Sequence, residues 1–238
     1  MKRILVLSVF VVGILLFSTQ VYANGYLKFK FWADEDSFIT KYYGCSNYGS
    51  WQHLKVRDVD SESCPDRLSR TLIKFSDEDL SSLSGLEIIS ASLHLYEYRR
   101  TTSSTSDEIN LFRVTQDWTE DSVTWNNQPD HAAQRITRRV FTKDDKTPGW
   151  RGWYGLANLV DWWVTGEKAN YGIILENDED GVFGQMNVRF HSSEYLDGTS
   201  IRRPYLKITA TPEPFSAVLF GIGAGFLGLC GAYRRRKI

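Results

Sequence analysis

The sequence predicts an all-β fold of two packed sheets, and two observations carry this prediction. Short segments alternate apolar and polar residues with a period of two, which is the pattern of half-buried strands. Gly and Ser cluster between these segments, aromatic residues make up 14% of the chain, and Met occurs only twice. Many short strands within one region of domain size are typical of a two-sheet sandwich.

The alternation is clearest at residues 91–96 and 171–176, where apolar side chains occupy every second position. We therefore predict a strand at each of these two places. Weaker forms of the same pattern predict further strands at residues 26–31, 54–56, 70–75, 109–114, 188–191 and 205–209.

One segment departs from the period of two. Its apolar residues have the i, i+3, i+4, i+7 spacing of one helix face: Leu156, Leu159, Val160 and Trp163. Gly166 follows at the position favoured for a C-terminal cap. We predict one short helix here, which closes one end of the sandwich.

Both ends of the chain carry an apolar segment. Residues 1–23 have the layout of a secretory signal peptide, because Lys2 and Arg3 precede an apolar run and small residues end it. The run has about 14 residues, fewer than the roughly 20 that a spanning helix needs. Residues 215–233 form an uncharged stretch of about 19 residues, which is long enough for a transmembrane helix.

Cations at residues 234–237 follow this second stretch directly. Because Lys and Arg are retained on the cytoplasmic side of a membrane, the region between the two apolar segments is predicted to lie outside the cytoplasm. That region, residues 24–211, has the length of one ordinary domain.

The end of the chain resembles the PEP-CTERM sorting signal of bacterial envelope proteins. Residues 212–238 contain a Pro-Glu-Pro motif, an apolar helix and an Arg-rich terminus in that order. The resemblance implies that, after signal peptidase has acted, an exosortase moves an inner-membrane-anchored intermediate to the cell surface or the extracellular matrix. The alternative is a permanent membrane anchor. The residues that carry the motif are Pro212, Glu213, Pro214, Arg234, Arg235 and Arg236.

The predicted exported region is acidic. Without the two terminal segments, 22 basic and 28 acidic residues remain, a net charge of −6. Binding to nucleic acid depends on neutralising phosphates, so this balance argues against a nucleic-acid partner. On net charge, a neutral or weakly charged matrix polysaccharide is the expected ligand. The alternative is an acidic polymer that meets a local basic strip within a Debye length of about 8 Å, such as Arg135, Arg138, Arg139 and Lys143.

Cys45 and Cys64 are the two cysteines of the predicted exported region. An even pair in an oxidising compartment is more often bridged than free, so we predict a disulfide. It would close a loop of about 20 residues and stabilise the fold by roughly 3 kcal/mol.

Motifs along the whole region resemble the DNRLRE-type domain family. They are ADEDSFI at 33–39, SNYGS at 46–50, RLSRTLIKF at 67–75, SASLHLY at 90–96, VTQDWTEDSVTWNNQP at 114–129, LVDWWVTG at 159–166 and NYGIILEN at 170–177. The match departs from the family's name motif at residues 66–70, which read DRLSR. The resemblance implies a jelly-roll sandwich on a secreted protein, and some members of that family bind polysaccharides.

Seven of the eight tryptophans divide into two groups. Trp118, Trp125 and Trp163 lie in the motifs and are predicted to be buried, each N–H donating to an acceptor such as a carbonyl oxygen. The others are predicted to form a glycan site, in which Trp150 and Trp153 stack on sugars from a Gly-containing loop at 148–153. The alternative is that these rings only cover the loop. The predicted site consists of Trp51, Trp150, Arg151, Trp153 and Trp162.

The sequence contains none of the common catalytic motifs that we looked for in it. The four histidines lie far apart without the spacing of a zinc site, and there is no nucleophile elbow, P-loop or dinucleotide motif. We therefore predict a non-enzymatic protein without a cofactor. The alternative is an enzyme that acts on matrix polysaccharide, since the region has enough acids to include a hydrolytic carboxylate pair.

Two acidic stretches offer the oxygen ligands that calcium takes, at residues 34–36 and 177–181. The candidate ligands are Asp34 and Asp36 in the first stretch, and Asp178 and Asp180 in the second. Neither stretch has a full twelve-residue calcium loop, and the second also has the composition of a polar hairpin turn. A structural calcium is the alternative to a metal-free domain.

Overall fold

The computed structural model describes residues 20–21, 25–58, 67–102, 106–142, 144–177, 186–197 and 202–212. The described strands are β1 (Gln20–Val21), β2 (Leu27–Trp32), β3 (Glu35–Thr40), β4 (His53–Asp58), β5 (Ser69–Lys74), β6 (Leu86–Thr101), β7 (Ser106–Arg113), β8 (Thr137–Thr142), β9 (Gly149–Tyr154), β10 (Ile173–Glu176), β11 (Met186–His191) and β12 (Tyr205–Pro212). The α-helices are α1 (Asp77–Ser81) and α2 (Ala157–Thr165), and a 3₁₀ helix spans Lys41–Tyr43.

These strands form one antiparallel, curled sheet. Its order is β1-β2-β12-β6-β11-β4-β5-β10-β7-β8, while β3 pairs with β5 and β9 pairs with β6. The all-β class is confirmed, and the curled sheet is consistent with the predicted jelly roll. The predicted signal peptide, apart from Gln20 and Val21, and the predicted transmembrane helix lie outside the described residues. Among the described helices, none is long and apolar enough to cross a membrane.

Strand β6 connects the two parts of the sheet. It is 16 residues long and pairs with β12 through residues 86–94, with β11 through 97–101 and with β9 through 92–97. Bulges in the registers with β12 and β11 accompany this change of partner. A bulge bends the strand and increases its twist, which suits a strand that passes from one neighbour to another.

The main core lies inside the curl. The buried residues alternate along each strand, as in β12, where Leu206, Ile208 and Ala210 are buried and the intervening residues face outward. Trp153 is fully buried at the centre, and its Nε1 donates to the carbonyl oxygen of Ile109 at 3.0 Å. Burial of this kind supplies most of the favourable free energy of folding.

A second, smaller apolar cluster lies on the opposite face of β5, β7 and β10. The segment 114–130 covers it with Trp118 and Val123, and Trp118 Nε1 donates to the Tyr171 carbonyl at 2.9 Å. Trp118 is buried in this cluster and Trp125 is half-buried against it, while Trp163 is buried in the main core. The structural roles predicted for Trp118 and Trp163 are therefore confirmed, although Trp163 Nε1 has no hydrogen-bond partner among the described residues.

Eight strands and the helix were predicted at the places where the structure has them. Helix α2 buries Leu159, Val160 and Trp163, and Gly166 follows with φ +73°. Strands β3, β8 and β9 were not predicted, and neither was β1, which lies within the predicted signal peptide. The loop predicted at 148–153 is wrong, because Gly149–Tyr154 pairs with β6 over its whole length.

We predict stability losses of different size for the two tryptophans of β9. Replacing the buried Trp153 by Ala should lower the free energy of unfolding by about 3–5 kcal/mol, through lost contacts and a cavity. The Trp150→Ala change, at an outward position, should cost about 1 kcal/mol or less. Urea unfolding of the full-length chain in a non-ionic detergent measures both, and equal losses at the two positions would contradict the placement.

Candidate functional site

The outward face of six strands carries a continuous row of rings, here called the aromatic strip. Strand residues alternate between the two faces of a sheet, so the residues between the core positions all emerge on this side. The members of the aromatic strip are Trp32, Trp51, His53, His94, Tyr96, Tyr98, Trp150, Tyr154, His191, Tyr195 and Tyr205. They come from β2, β4, β6, β9, β11 and β12, together with the segments next to β4 and β11.

The register of the sheet places neighbouring rings opposite each other. Tyr205 is paired with Trp32 on one side and with His94 on the other. Its ring centroid lies 5.5 Å from that of Trp32 and 4.8 Å from the stacked imidazole of His94. Trp150 approaches Tyr205 to 5.1 Å and Tyr96 to 5.4 Å. Such cross-strand aromatic contacts stabilise the sheet and hold the rings in place.

His191 continues the row towards β4. Its ring is stacked against Tyr96 at 5.5 Å, Tyr98 at 4.8 Å and Tyr195 at 3.4 Å. Beyond Tyr98, the rings of His53 and Trp51 follow at 6.5 Å and then 5.2 Å. The row therefore extends across the whole width of this part of the sheet.

Three rings of the strip are open to solvent: Trp150 is 40% exposed, Tyr154 63% and Trp51 48%. Tyr154 lies over Gly152, where a Cβ atom would come within 2.7 Å of the tyrosine ring. Glycine at this outward position leaves room for that ring to lie along the sheet. The strip thus offers flat, exposed apolar faces.

Cations cover other rings of the strip. Lys30 Nζ lies 3.8 Å from the Trp32 centroid and 4.0 Å from that of Tyr205. The Arg202 guanidinium lies 4.6 Å from the Tyr96 centroid. These distances are typical of cation–π contacts. The faces of Trp150, Tyr154 and Trp51 are therefore the larger free surfaces.

The face around the strip is basic. Lys and Arg occupy outward positions of β2, β4, β11 and β12, with no acidic residue among the other outward positions of these strands. These cations are Lys28, Lys30, Lys55, Arg57, Arg189 and Lys207. Burial, Arg57 and Arg189 together lower the pKa of Lys55 to about 8.

Two of the three histidines of the strip, His53 and His191, are uncharged at neutral pH. Burial, Arg189 and Lys55 lower the pKa of His53 to about 4. Burial and Arg202 lower the pKa of His191 to about 4 as well. These two imidazoles therefore act as flat neutral rings, and the positive charge of the face comes from Lys and Arg.

The structure separates the residues of the predicted glycan site. Trp150 and Trp51 both belong to the aromatic strip, and Trp150 is on its exposed part. The prediction is wrong for Trp153, which has no exposed surface, and for Arg151, which is buried in an ion pair with Glu97. Both face the core because they alternate with Trp150 along β9.

Trp162 lies at a different place. It lines a pocket of about 310 Å³ beside α2, together with Arg113, Arg135 and Lys168. The Lys168 ammonium lies 3.5 Å from the Trp162 ring centroid. No residue of the aromatic strip lines this pocket.

Sequence reasoning missed most of the strip. Tyr96, His94 and Tyr205 fall within predicted strands, yet their role as a surface was not inferred. The available signal was the recurrence of aromatic residues at the polar positions of alternating strands, as in the SLHLYEY segment at 92–98. Half-buried strands usually carry polar residues there.

Of the four predicted calcium ligands, the described part of the chain includes the first pair. Asp34 is exposed and Asp36 is fully buried, while Asp178 and Asp180 lie outside the described residues. Asp36 instead approaches Glu120 and Glu194. Cys45 is exposed and its Sγ accepts a hydrogen bond from Asn126 Nδ2 at 3.1 Å. Cys64 lies outside the described residues, so the disulfide stays a prediction.

The chain matches the model of a known family. The model of carbohydrate-binding module family 96 matches residues 27–210, which is nearly all of the described fold. No curated protein matches the chain.

The lowered histidine pKa values predict a loss of stability in acid. The unfolded chain takes up a proton near the ordinary pKa of 6.5, whereas folded His53 and His191 do so only near 4. Between these values the unfolded state binds more protons, so their contribution to stability falls as pH falls from 6.5 to 4. Replacing both by Phe keeps two rings and removes the titration.

The measurement is the free energy of unfolding of the wild type minus that of the double variant, plotted against pH. Groups common to both proteins, including the carboxyl groups, cancel in this difference. We expect the difference to decrease as pH falls from 6.5 towards 4. A difference that is constant over this range would contradict the assignment.

Proposed function

Because this chain belongs to carbohydrate-binding module family 96, we propose that its outer sheet face binds a polysaccharide without cleaving it. The observation that carries the proposal is the aromatic strip. Its exposed rings, Trp150, Tyr154 and Trp51, lie on one face of a rigid sheet. Flat aromatic faces pack well against the apolar C–H faces of sugar rings, and their N–H and O–H groups can bond to hydroxyls.

The geometry suits a polymer more than a single small molecule. Ligands of small size are usually enclosed in a concave pocket. The aromatic strip is instead an open row across several strands, so successive sugars of a chain would contact successive rings. Each contact between one sugar and one ring is weak. Once one sugar of a polymer is bound, the next sugars are held close to the next rings, so the overall affinity exceeds that of a single contact.

The charge of the face bears on the class of polysaccharide. The net charge of −6 for residues 24–211 favours a neutral glycan, but outward cations such as Lys30, Lys55 and Arg189 surround the strip itself. Charges act mainly within a Debye length of about 8 Å, so the local cations dominate at the site. We therefore propose a polymer that carries carboxylate or sulfate groups.

The described geometry supports binding better than hydrolysis. Carbohydrate-binding modules are not catalytic, and the aromatic strip has no carboxylate pair among its members. Glycoside hydrolysis needs two carboxyl groups on either side of the scissile bond. A cluster of acids does lie near one end of the strip, but its Asp36 has no exposed surface with which to reach a substrate.

We also propose that the protein is exported and sorted by an exosortase to the surface or matrix of a bacterium. This proposal is supported by the signal-peptide layout of residues 1–23 and by the Pro-Glu-Pro, apolar and Arg-rich order of residues 212–238. A permanent membrane anchor is the alternative. A matrix location would place the aromatic strip among extracellular polysaccharides.

Binding can be tested with two variants and one control. Trp150→Ala and Tyr154→Ala each remove one exposed ring and should weaken binding at least about tenfold, equivalent to about 1.4 kcal/mol. Affinity electrophoresis of the full-length chain in gels containing polygalacturonate measures retention, and a gel with a neutral β-glucan is the comparison. Stronger retention by polygalacturonate is expected.

The matched control is Trp162→Ala, which removes a partly buried tryptophan outside the strip. It should leave retention unchanged. Retention that persists in both strip variants, or that is lost only in the Trp162 variant, would overturn the assignment of the strip. Stronger binding to the neutral glucan would contradict only the proposal that the ligand is charged, and would leave the strip as the binding surface.

If the protein is sorted by an exosortase, its mature form should be shorter than the full chain. Intact mass spectrometry of the surface-exposed product, from cells that carry an exosortase, should show a chain that lacks residues 1–23 and the segment after the Pro-Glu-Pro motif. Residues 234–237 still attached to that product would contradict sorting and favour the permanent anchor.

A further inference from the structure

Three acidic side chains from distant parts of the chain meet beside the aromatic strip. Asp36 belongs to β3, Glu120 to the segment 114–130, and Glu194 to the segment after β11. One carboxylate oxygen of each lies within 4.8 Å of the other two. Asp36 is fully buried, and the other two are half-buried.

Each carboxylate is oriented by hydrogen bonds to protein groups. Asp36 Oδ2 accepts from Ser193 N at 2.8 Å, and Glu194 Oε1 accepts from Ser193 Oγ at 2.6 Å. Glu120 Oε1 accepts from Asp36 N at 2.9 Å. These bonds fix the directions of the remaining oxygens.

Two of the remaining oxygens have no partner. Asp36 Oδ1 and Glu194 Oε2 are buried atoms without a hydrogen bond to any described residue. A buried acceptor without a donor costs about 1–3 kcal/mol, and more when it is charged. Native folds therefore rarely leave such atoms without a ligand of some kind.

The electrostatics of the cluster are unfavourable without a cation. Burial, with Glu194 and Glu120, raises the pKa of Asp36 well above its ordinary value. Burial, Glu194, Glu35 and Asp121 raise the pKa of Glu120 to about 7. All the charged groups that shift these two values are carboxylates. The cation Lys74 instead pairs with Glu35 at 3.3 Å and Asp117 at 3.2 Å.

We propose that Asp36, Glu120 and Glu194 bind a calcium ion. Calcium prefers carboxylate and carbonyl oxygens at 2.3–2.6 Å, so two ligands on opposite sides lie up to about 5 Å apart. Magnesium needs near-ideal octahedral geometry and keeps several of its waters, so a site of three protein carboxylates suits calcium better. The absence of sulfur and imidazole ligands from this group argues against zinc.

The backbone around the cluster is built to hold these acids. A Cβ atom at Gly49 would lie 2.5 Å from Glu120, so only glycine allows this close packing. Asn47 Nδ2 donates to the carbonyl oxygens of Glu120 at 2.6 Å and Val123 at 2.8 Å. Glu120 N in turn donates to Glu35 Oε2 at 2.9 Å.

The ion would connect three segments and stabilise one end of the aromatic strip. Tyr195 directly follows Glu194 and is stacked on His191, and Ser192 Oγ donates to the Trp51 carbonyl at 2.6 Å. Calcium bound to Glu194 therefore holds the segment that positions Tyr195 and Trp51. The metal site itself does not depend on the proposed function.

Calcium binding is tested on the full-length chain in a non-ionic detergent, after treatment with EGTA. Titration calorimetry should show one Ca²⁺ bound, with a Kd of about 10⁻⁴–10⁻³ M or tighter, the range of extracellular modules. Saturating Ca²⁺ should raise Tm by about 3 °C or more, and the same concentration of Mg²⁺ should raise it less.

Asp36→Asn should weaken Ca²⁺ binding at least tenfold and abolish the Tm rise. Without metal, this variant should be at least as stable as the wild type, because Asn replaces an acid whose charged form is disfavoured by burial and by Glu194 and Glu120. The order of stability should therefore reverse when Ca²⁺ is added. The matched control is Asp121→Asn, which neutralises an exposed acid next to Glu120 and should keep the Tm rise.

If Asp36→Asn does not fold, Glu194→Gln serves as the second variant, with the same expected loss. A wild type that binds no Ca²⁺ at about 5 mM, well above this affinity range, would overturn the proposal and show that the carboxyl groups share protons instead. Unchanged Ca²⁺ binding in both variants would also overturn it. Binding of Ca²⁺ without polysaccharide retention would overturn the proposed function and leave the metal site intact.

Discussion

The two-residue alternation of β-strands is the constraint on which the core and the aromatic strip both depend. In β6, Leu93 and Leu95 enter the core while His94 and Tyr96 emerge on the outer face. The same alternation in β9 buries Trp153 and exposes Trp150. Because one backbone carries both rows, tight packing of the inner row also fixes the spacing of the outer rings. A change that shifts the register by one residue would exchange the two rows and destroy both.

Much of the fold could be predicted from this alternation, since most strands with apolar inner positions were found. Strands β3 and β9 were missed because their sequences look like something else: an acidic stretch at 35–36, and Gly149 with Gly152 in a short segment. Once β9 was interpreted as a loop, Trp150 and Trp153 were treated as equivalent. A strand interpretation would have placed them on opposite faces, which is what the structure shows.

The acidic cluster could not be predicted by any local pattern. Asp36 and Glu120 are 84 positions apart in the chain, and Glu194 lies in a third segment. Adjacent acids such as Asp34 and Asp36 look like a calcium stretch, yet Asp34 is exposed and Asp36 is buried. The curled sheet decides which acids meet, because it places the end of β11 beside β3. Sequence spacing alone carries no information on such long-range contacts.

Net charge and local charge lead to different expectations for this molecule. Residues 24–211 are acidic as a whole, but the outward positions beside the strip carry Lys and Arg, and burial keeps His53 and His191 neutral. A ligand therefore meets rings that are already packed against each other, on a face whose positive charge at neutral pH comes from Lys and Arg. Ordering such a surface costs little on binding, because its side chains have few alternative conformations to lose. That rigidity favours an extended, repetitive ligand, since a regular polymer can match a fixed row of rings without adjustment of either partner.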